Sequence, residues 1–275
     1  MTSETVLIAG DVHGDTVHMK YLINKAFYHD IVKIMVVGDF GAWEHTADGR
    51  EFFDNTDLHA SQRDIIVYFI DGNHDKTSLV VEMYSDSKDE QGFLKCRENL
   101  RYAPRGHRWT WGESRCIALG GAYSVDKGWR IQQEREKTLQ SKQRTAHYGA
   151  TPKDFSGTLW FPEEEMTDEE LDSILSVDSS PVDIIFSHDK PRAASVPWNR
   201  KDLSECWPNQ DRIQKAVKAL RPHHVYHGHL HYPYETGIFI GEGPNEWVTV
   251  VGLDCGQEGY HPGYYRRDSW IAVEL

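Results

Sequence analysis

The 275-residue chain has only four cysteines, Cys96, Cys116, Cys206 and Cys255, widely spaced and with no C-x-x-C pair. Their even number would allow two disulfides. However, the N-terminal MTSETVLIAG lacks the basic start and apolar stretch of a secretory signal. The cysteines are therefore expected to be reduced and the protein cytoplasmic. No apolar run approaches the roughly 20 residues of a membrane-spanning helix, which excludes that class. Positive charge is in short supply, 30 Lys and Arg against 43 Asp and Glu, for a net charge of −13. A field of that sign repels nucleic acid and anionic membrane surfaces, so stable association with either is not expected. A local cationic or metal-lined pocket for one phosphate is compatible with it. Internal repeats and low-complexity linkers are absent too, so residues 1–275 are read as a single domain. Nothing in the sequence specifies an oligomeric state.

Histidine and tryptophan are abundant, at 15 and 9 residues. The first 75 residues alternate strand and helix patterns. Apolar runs at 6–9, 31–37 and 65–70 end in Gly10-Asp11, Gly38-Asp39 and Asp71-Gly72-Asn73-His74-Asp75. Between the first two, Met19, Leu22, Ile23, Ala26 and Phe27 recur at helical spacing after Asp15. This alternation predicts an α/β fold with parallel strands and helices packed on them. Residues 107–119 read as a hairpin around Gly112-Glu113. Residues 125–165 show little periodicity and read as an irregular cap or insertion over the core. Thr167-x-x-Glu170 has the capping-box pattern ahead of Leu171, Ile174 and Leu175. A strand at 182–186 then leads to Ser187-His188, a helix ends at Pro222, and 224–226 runs into His227-Gly228-His229-Leu230-His231. Antiparallel strands are expected at 234–240, 247–253 and 269–274.

Five apolar runs thus end in polar residues, at Asp11-x-His13, Asp39, Asn73-His74, His188 and the 227–231 histidines. Each piece alone has an ordinary reading: a turn, a cap, an Asx-turn or a satisfied core histidine. Together they point to one place, because ligands of open α/β sheets bind beyond the carboxyl ends of the strands. Oxygen and imidazole donors in this mixture suit Mn, Fe, Co, Ni or Zn, and the lack of thiolates nearby argues against a structural zinc site. The donors outnumber what one ion needs, so two ions sharing a carboxylate is the economical reading.

GDVHG at 10–14, GD at 38–39, GNHD at 72–75, His188 and GHLH at 228–231 occur in this order, and together they resemble the signature of the calcineurin-like metallophosphoesterases. The resemblance implies a four-layer α/β fold, a β-sandwich of two mixed sheets flanked by helices. It implies that Asp11, His13, Asp39 and His231 hold one metal, and that Asp39, Asn73, His188 and His229 hold the other, with Asp39 bridging. Two divalent ions are implied as cofactors, manganese first, with Fe, Ni, Co, Zn or Mg as alternatives. His74 matches the position that protonates the leaving group or steadies the transition state, and Asn73 matches one that touches the phosphate. The implied chemistry is attack of a metal-bridging hydroxide on a phosphoester, with no covalent enzyme intermediate.

One departure bears on specificity. Protein phosphatases of the family carry GDxxDRG, whereas this segment is Gly38-Asp39-Phe40-Gly41-Ala42-Trp43-Glu44. Ala42 replaces the Asp that pairs with the catalytic His, leaving Asp75 or Glu44 to orient His74. The missing Arg removes a fork-like donor that a dianionic monoester would want. The expected partner is therefore a small or nucleotide-like phosphodiester, with 2′,3′- and 3′,5′-cyclic nucleotides tested first and Trp129, Tyr148, Phe155, Trp160 and Phe161 as walls for a base or aryl group. The alternatives are a broad phosphomonoesterase or Ser/Thr protein phosphatase, and a non-catalytic scaffold on the same fold. Lys127, Arg130 and Arg192 are candidate substrate contacts. His227, the odd member of its cluster, is read as a buried histidine beside the ligands; if the stretch continues as a strand, side chains 227, 229 and 231 share a face.

Overall fold

The computed structural model describes residues 4–146, 151–197, 203–241, 246–256 and 269–275. Its elements in chain order are β1 (Thr5–Ala9), α1 (Thr16–Tyr28), β2 (Lys33–Val36), α2 (Ala47–Ser61), β3 (Ile66–Phe69), α3 (Thr77–Tyr84), β4 (Leu94–Lys95), β5 (Leu100–Tyr102), β6 (Arg108–Trp111) and β7 (Ser114–Leu119). They continue with α4 (Lys127–Ala146), α5 (Asp168–Val177), β8 (Ile184–Ser187), α6 (Trp207–Leu220), β9 (His224–His227), β10 (Tyr234–Phe239), β11 (Trp247–Gly252) and β12 (Trp270–Glu274).

The strands form two six-stranded mixed sheets, in the orders β12-β1-β2-β3-β5-β4 and β10-β11-β9-β8-β7-β6. Each has four parallel strands at its centre and an antiparallel strand at either edge. Side-chain alternation explains why the central strands read as unbroken apolar runs. Leu7 and Ala9 join a core with Met19, Leu22 and Ile23 of α1 and Phe52 and Phe53 of α2. Val6 and Ile8, one residue out of phase, join a core between the sheets with Trp109, Trp111, Phe186 and Tyr226. Ile117, Ile185 and Val225 face a third core with Leu171 of α5 and Ile213 and Val217 of α6. Three apolar seams between four layers are the physical content of the sandwich.

Local signals fixed several element ends as expected. The Asp15 carboxylate accepts from the N–H groups of Val17 and His18 and starts α1. Thr167 and Glu170 form the reciprocal capping box of α5. Four expectations need correction. Phe27 is half exposed rather than part of the α1 stripe. The strand at 247–252 is antiparallel to β10 but parallel to β9. Residues 127–146 form a 20-residue helix in a region expected to be irregular, and Glu134 is its one buried side chain. Finally, β9 stops at His227, and both His229 (φ 62°) and His231 (φ 48°) adopt left-handed backbone. The strand alternation therefore does not extend through 227–231. Among the described residues no disulfide forms, the four cysteines being buried, and no helix is long and apolar enough to cross a membrane.

Candidate metal centre

The ends of β1, β2, β3, β8 and β9 meet at one rim, where glycines let backbone and side chains crowd together. A Cβ on Gly38 would lie 2.3 Å from Nδ1 of His188, and one on Gly228 would lie 2.0 Å from Oδ1 of Asp11. His13 (φ 53°) and Asp39 (φ 46°) share the left-handed backbone of His229 and His231. Each such residue costs about 1–2 kcal/mol, and strain of this kind persists where surrounding structure holds it for a purpose.

The chain brings the expected donors into contact. Nε2 of His231 lies 2.9 Å from Oδ2 of Asp11 and 3.2 Å from Nε2 of His13. Asp39 faces two ways, with Oδ1 3.4 Å from Nε2 of His188 and Oδ2 3.8 Å from Nδ1 of His13. Nε2 of His188 is also 3.1 Å from Oδ1 of Asn73, and the His229 ring centroid is 5.1 Å from that of His188. Three groups place their donor atoms within 4.8 Å of one another: Asp11, His13 and His231; Asp11, Asp39 and His188; and His13, Asp39 and His74. The groups overlap, with Asp11 and Asp39 each in two of them and His74 beside His13.

Two observations show that the donor set suits cations. Oδ2 of Asp11 is buried and has no aligned hydrogen bond, although His231 is so near. Buried carboxylates and imidazoles also fill the site together, and buried charge needs compensation. Burial pushes the Asp11 carboxyl up, but His231 and His188 outweigh it and bring it down to about 2. Asp39 is likewise held well below the usual range, burial being overcome by His74, His188 and His13. Burial would lower His188 and His231, yet Asp39 and Asp11 raise His188 to about 10, and Asp11 with the Cys255 side chain raises His231 to about 11.

A surrounding layer fixes the donors. Nδ1 of His188 pairs with the carbonyl of Val37 at 2.8 Å, which turns Nε2 toward Asp39. The side-chain amide of Asn73 donates to Ser124 Oγ at 2.9 Å, which leaves its oxygen facing His188. His227 is buried, with Nε2 2.7 Å from the Tyr234 hydroxyl, and burial lowers it to about 3. Sequence reasoning did not find Ser124 or Tyr234, since neither lies in a motif.

His74 shows the clearest departure from expectation. Neither proposed substitute for the missing Asp orients it. The Asp75 carboxylate accepts from the backbone N–H groups of Phe40, Gly41, Ala42 and Gly72, and so builds the loop after β2. Glu44 accepts from Tyr84 and Arg97. The partner of His74 is Arg130 of α4, whose Nη2 lies 2.6 Å from Nδ1 and 3.0 Å from Nε2 of the ring. Burial lowers His74 to about 4, with Asp39 opposing and Arg130 reinforcing that shift.

The other candidate contacts point elsewhere. Nζ of Lys127 lies 3.2 Å from Glu164 and over Trp160, and Arg192 stacks 3.8 Å over the Trp207 ring. Among the aromatics expected to wall a base pocket, Trp129 is exposed, Phe161 is buried, and Phe155 and Trp160 pack against lysines. Tyr148 lies outside the described residues.

Comparison with known proteins accords with this geometry. The model of the family described as calcineurin-like phosphoesterase matches residues 4–233. No curated protein matches the chain. One solved structure covers 99% of this chain and 95% of its own at 13% identity, with a TM-score of 0.58. A dimetal phosphatase from Danio rerio, also 13% identical, covers 92% of this chain and 87% of its own with a TM-score of 0.50. At these identities the likeness concerns the fold.

Proposed function

The chain belongs to the calcineurin-like phosphoesterase family, and from that premise we propose that it is a two-metal hydrolase of small phosphoesters. The observation that carries the reading is the convergence of carboxylates and imidazoles from five strand ends on one rim, among glycines whose added Cβ would crowd the donors. Asp11, His13, Asp39 and His231 would hold one ion, and Asp39, Asn73, His188 and His229 the other. Divalent ions held there supply Lewis acidity toward a phosphoryl oxygen and activate water.

The chain's own groups do the rest. Asp39 also accepts the backbone N–H of His74 at 2.8 Å, so the carboxylate between the two ligand groups fixes the GNHD loop as well. His74 is thereby set at the edge of the cluster, its Nε2 3.8 Å from Oδ2 of Asp39, where it can hydrogen-bond a leaving-group oxygen. Asn73, pinned by Ser124, offers an oxygen to the cluster.

A preference for diesters, cyclic nucleotides included, follows if no arginine reaches the phosphate, because the segment 38–44 contains none. Arg130 beside His74 favours the second reading, a phosphomonoesterase. A panel of mono- and diesters assayed with Mn, Co, Ni and Mg tests the shared claim, with Asp39→Ala as control. Hydrolysis that needs metal and disappears in Asp39→Ala is expected. Unchanged turnover in that variant would refute the two-metal assignment, and a protein that neither binds metal nor hydrolyses any ester would be a scaffold.

A further inference from the structure

The helix α4 is polar on all sides, which gives it little apolar reason to pack, yet one of its faces is firmly tied down. Arg130 and Glu134, one turn apart, share that face. Arg130 donates from Nε to both oxygens of Asp126 at 2.8 Å and from Nη1 to the carbonyl of Leu159 at 2.9 Å. The buried Glu134 accepts from the backbone N–H groups of Thr158, Leu159 and Trp160 at 2.9, 2.7 and 3.0 Å. The segment 157–160 is held from the other side as well, since Lys76, two residues past His74, donates to the carbonyl of Gly157. The guanidinium is thus fixed on two edges, and its remaining nitrogen, Nη2, is directed at His74. The imidazole accepts one hydrogen bond from the guanidinium. An anion beside the ring would take a charge-assisted hydrogen bond from the other N–H of Nη2.

We infer that Arg130 grips the phosphoryl oxygens of the substrate beside His74, and that the substrate class is the phosphomonoester. The inference rests on the reading of the site as a phosphoester hydrolase. Arg130 reaches the rim from a helix 56 residues beyond His74, and it supplies a guanidinium donor where residues 38–44 hold none. A monoester dianion, with one more charged oxygen than a diester, gains the most from it. Glu134 is a positioning residue, which orders the 158–160 backbone that in turn holds Arg130.

The test compares wild type, Arg130→Gln, Arg130→Lys and Glu134→Gln on 4-nitrophenyl phosphate and bis(4-nitrophenyl) phosphate with saturating Mn. Binding of inorganic phosphate is measured by calorimetry alongside, and bound metal by elemental analysis. Wild type is expected to favour the monoester. Arg130→Gln should lose roughly 100-fold in kcat/KM on the monoester and under about 5-fold on the diester. It should also bind phosphate at least 10-fold more weakly while keeping its metal. Millimolar guanidinium should restore part of the monoester activity, Arg130→Lys should fall between, and Glu134→Gln should change in the same direction less steeply. Equal losses on both esters, or phosphate binding unchanged with metal retained, would overturn the role of Arg130. A wild type that hydrolyses neither ester would instead overturn the underlying hydrolase reading.

Discussion

Replacing Gly38 with alanine perturbs the rim at a crowded point without removing a charged group. Gly38 has φ +92°, and its added Cβ would stand 2.3, 2.5 and 2.9 Å from Nδ1, Cγ and Cβ of His188. These atoms form the root of a fully buried ring, so the ring cannot swing away as the tip of a long side chain would. Three costs combine: left-handed backbone at a residue with a Cβ, overpacking, and loss of the 2.8 Å bond from His188 to the Val37 carbonyl. Together they amount to about 3–6 kcal/mol. That is a large share of the roughly 5–15 kcal/mol by which domains are stable. Urea unfolding of the metal-free protein measures the loss, and manganese titration calorimetry measures the displacement of His188. A variant within about 0.5 kcal/mol of wild type that binds manganese equally well would refute the crowding argument.

Ser124→Ala removes the acceptor that holds the Asn73 amide, and it should weaken metal binding roughly 10-fold or more with a stability loss near 1 kcal/mol. Calorimetry and melting curves separate the two effects, and unaltered affinity would show that Asn73 needs no such anchor. The stability of His107 should depend on pH, because burial against Phe93 and Trp109 lowers its pKa to about 4. Unfolded, the ring titrates near 6.5, so between those values the unfolded chain takes up the proton first and stability falls as the pH drops. His107→Gln should flatten that acid slope by about 1–3 kcal/mol in urea titrations from pH 7 to 4, and an unchanged slope would count against it.

The convergence of the candidate ligand residues was legible because each follows a short apolar strand and a turn, and strand ends in such sheets meet on one side. The capping box of α5 was equally plain, since Thr167 and Glu170 satisfy each other locally. What escaped depends on tertiary context. The helix α4 has no apolar stripe, so periodicity could not reveal it. Its hold on the core runs through Glu134 and backbone N–H groups more than 20 residues away. The left-handed turns at His229 and His231 were hidden because alternating histidines read as strand, while the backbone there is bent to bring the His231 side chain to Asp11 and the His229 ring near His188. Ala42 marks a departure from the motif, but no local rule indicates that Arg130 reaches His74.

The most direct test of the two-metal centre is manganese titration calorimetry of chelator-treated protein, wild type beside Asp39→Ala. Two ions per chain in wild type and a marked loss of both in Asp39→Ala are expected, because Asp39 faces both ligand groups. Binding of no ion or one, or a stoichiometry of two that survives the loss of Asp39, would contradict it.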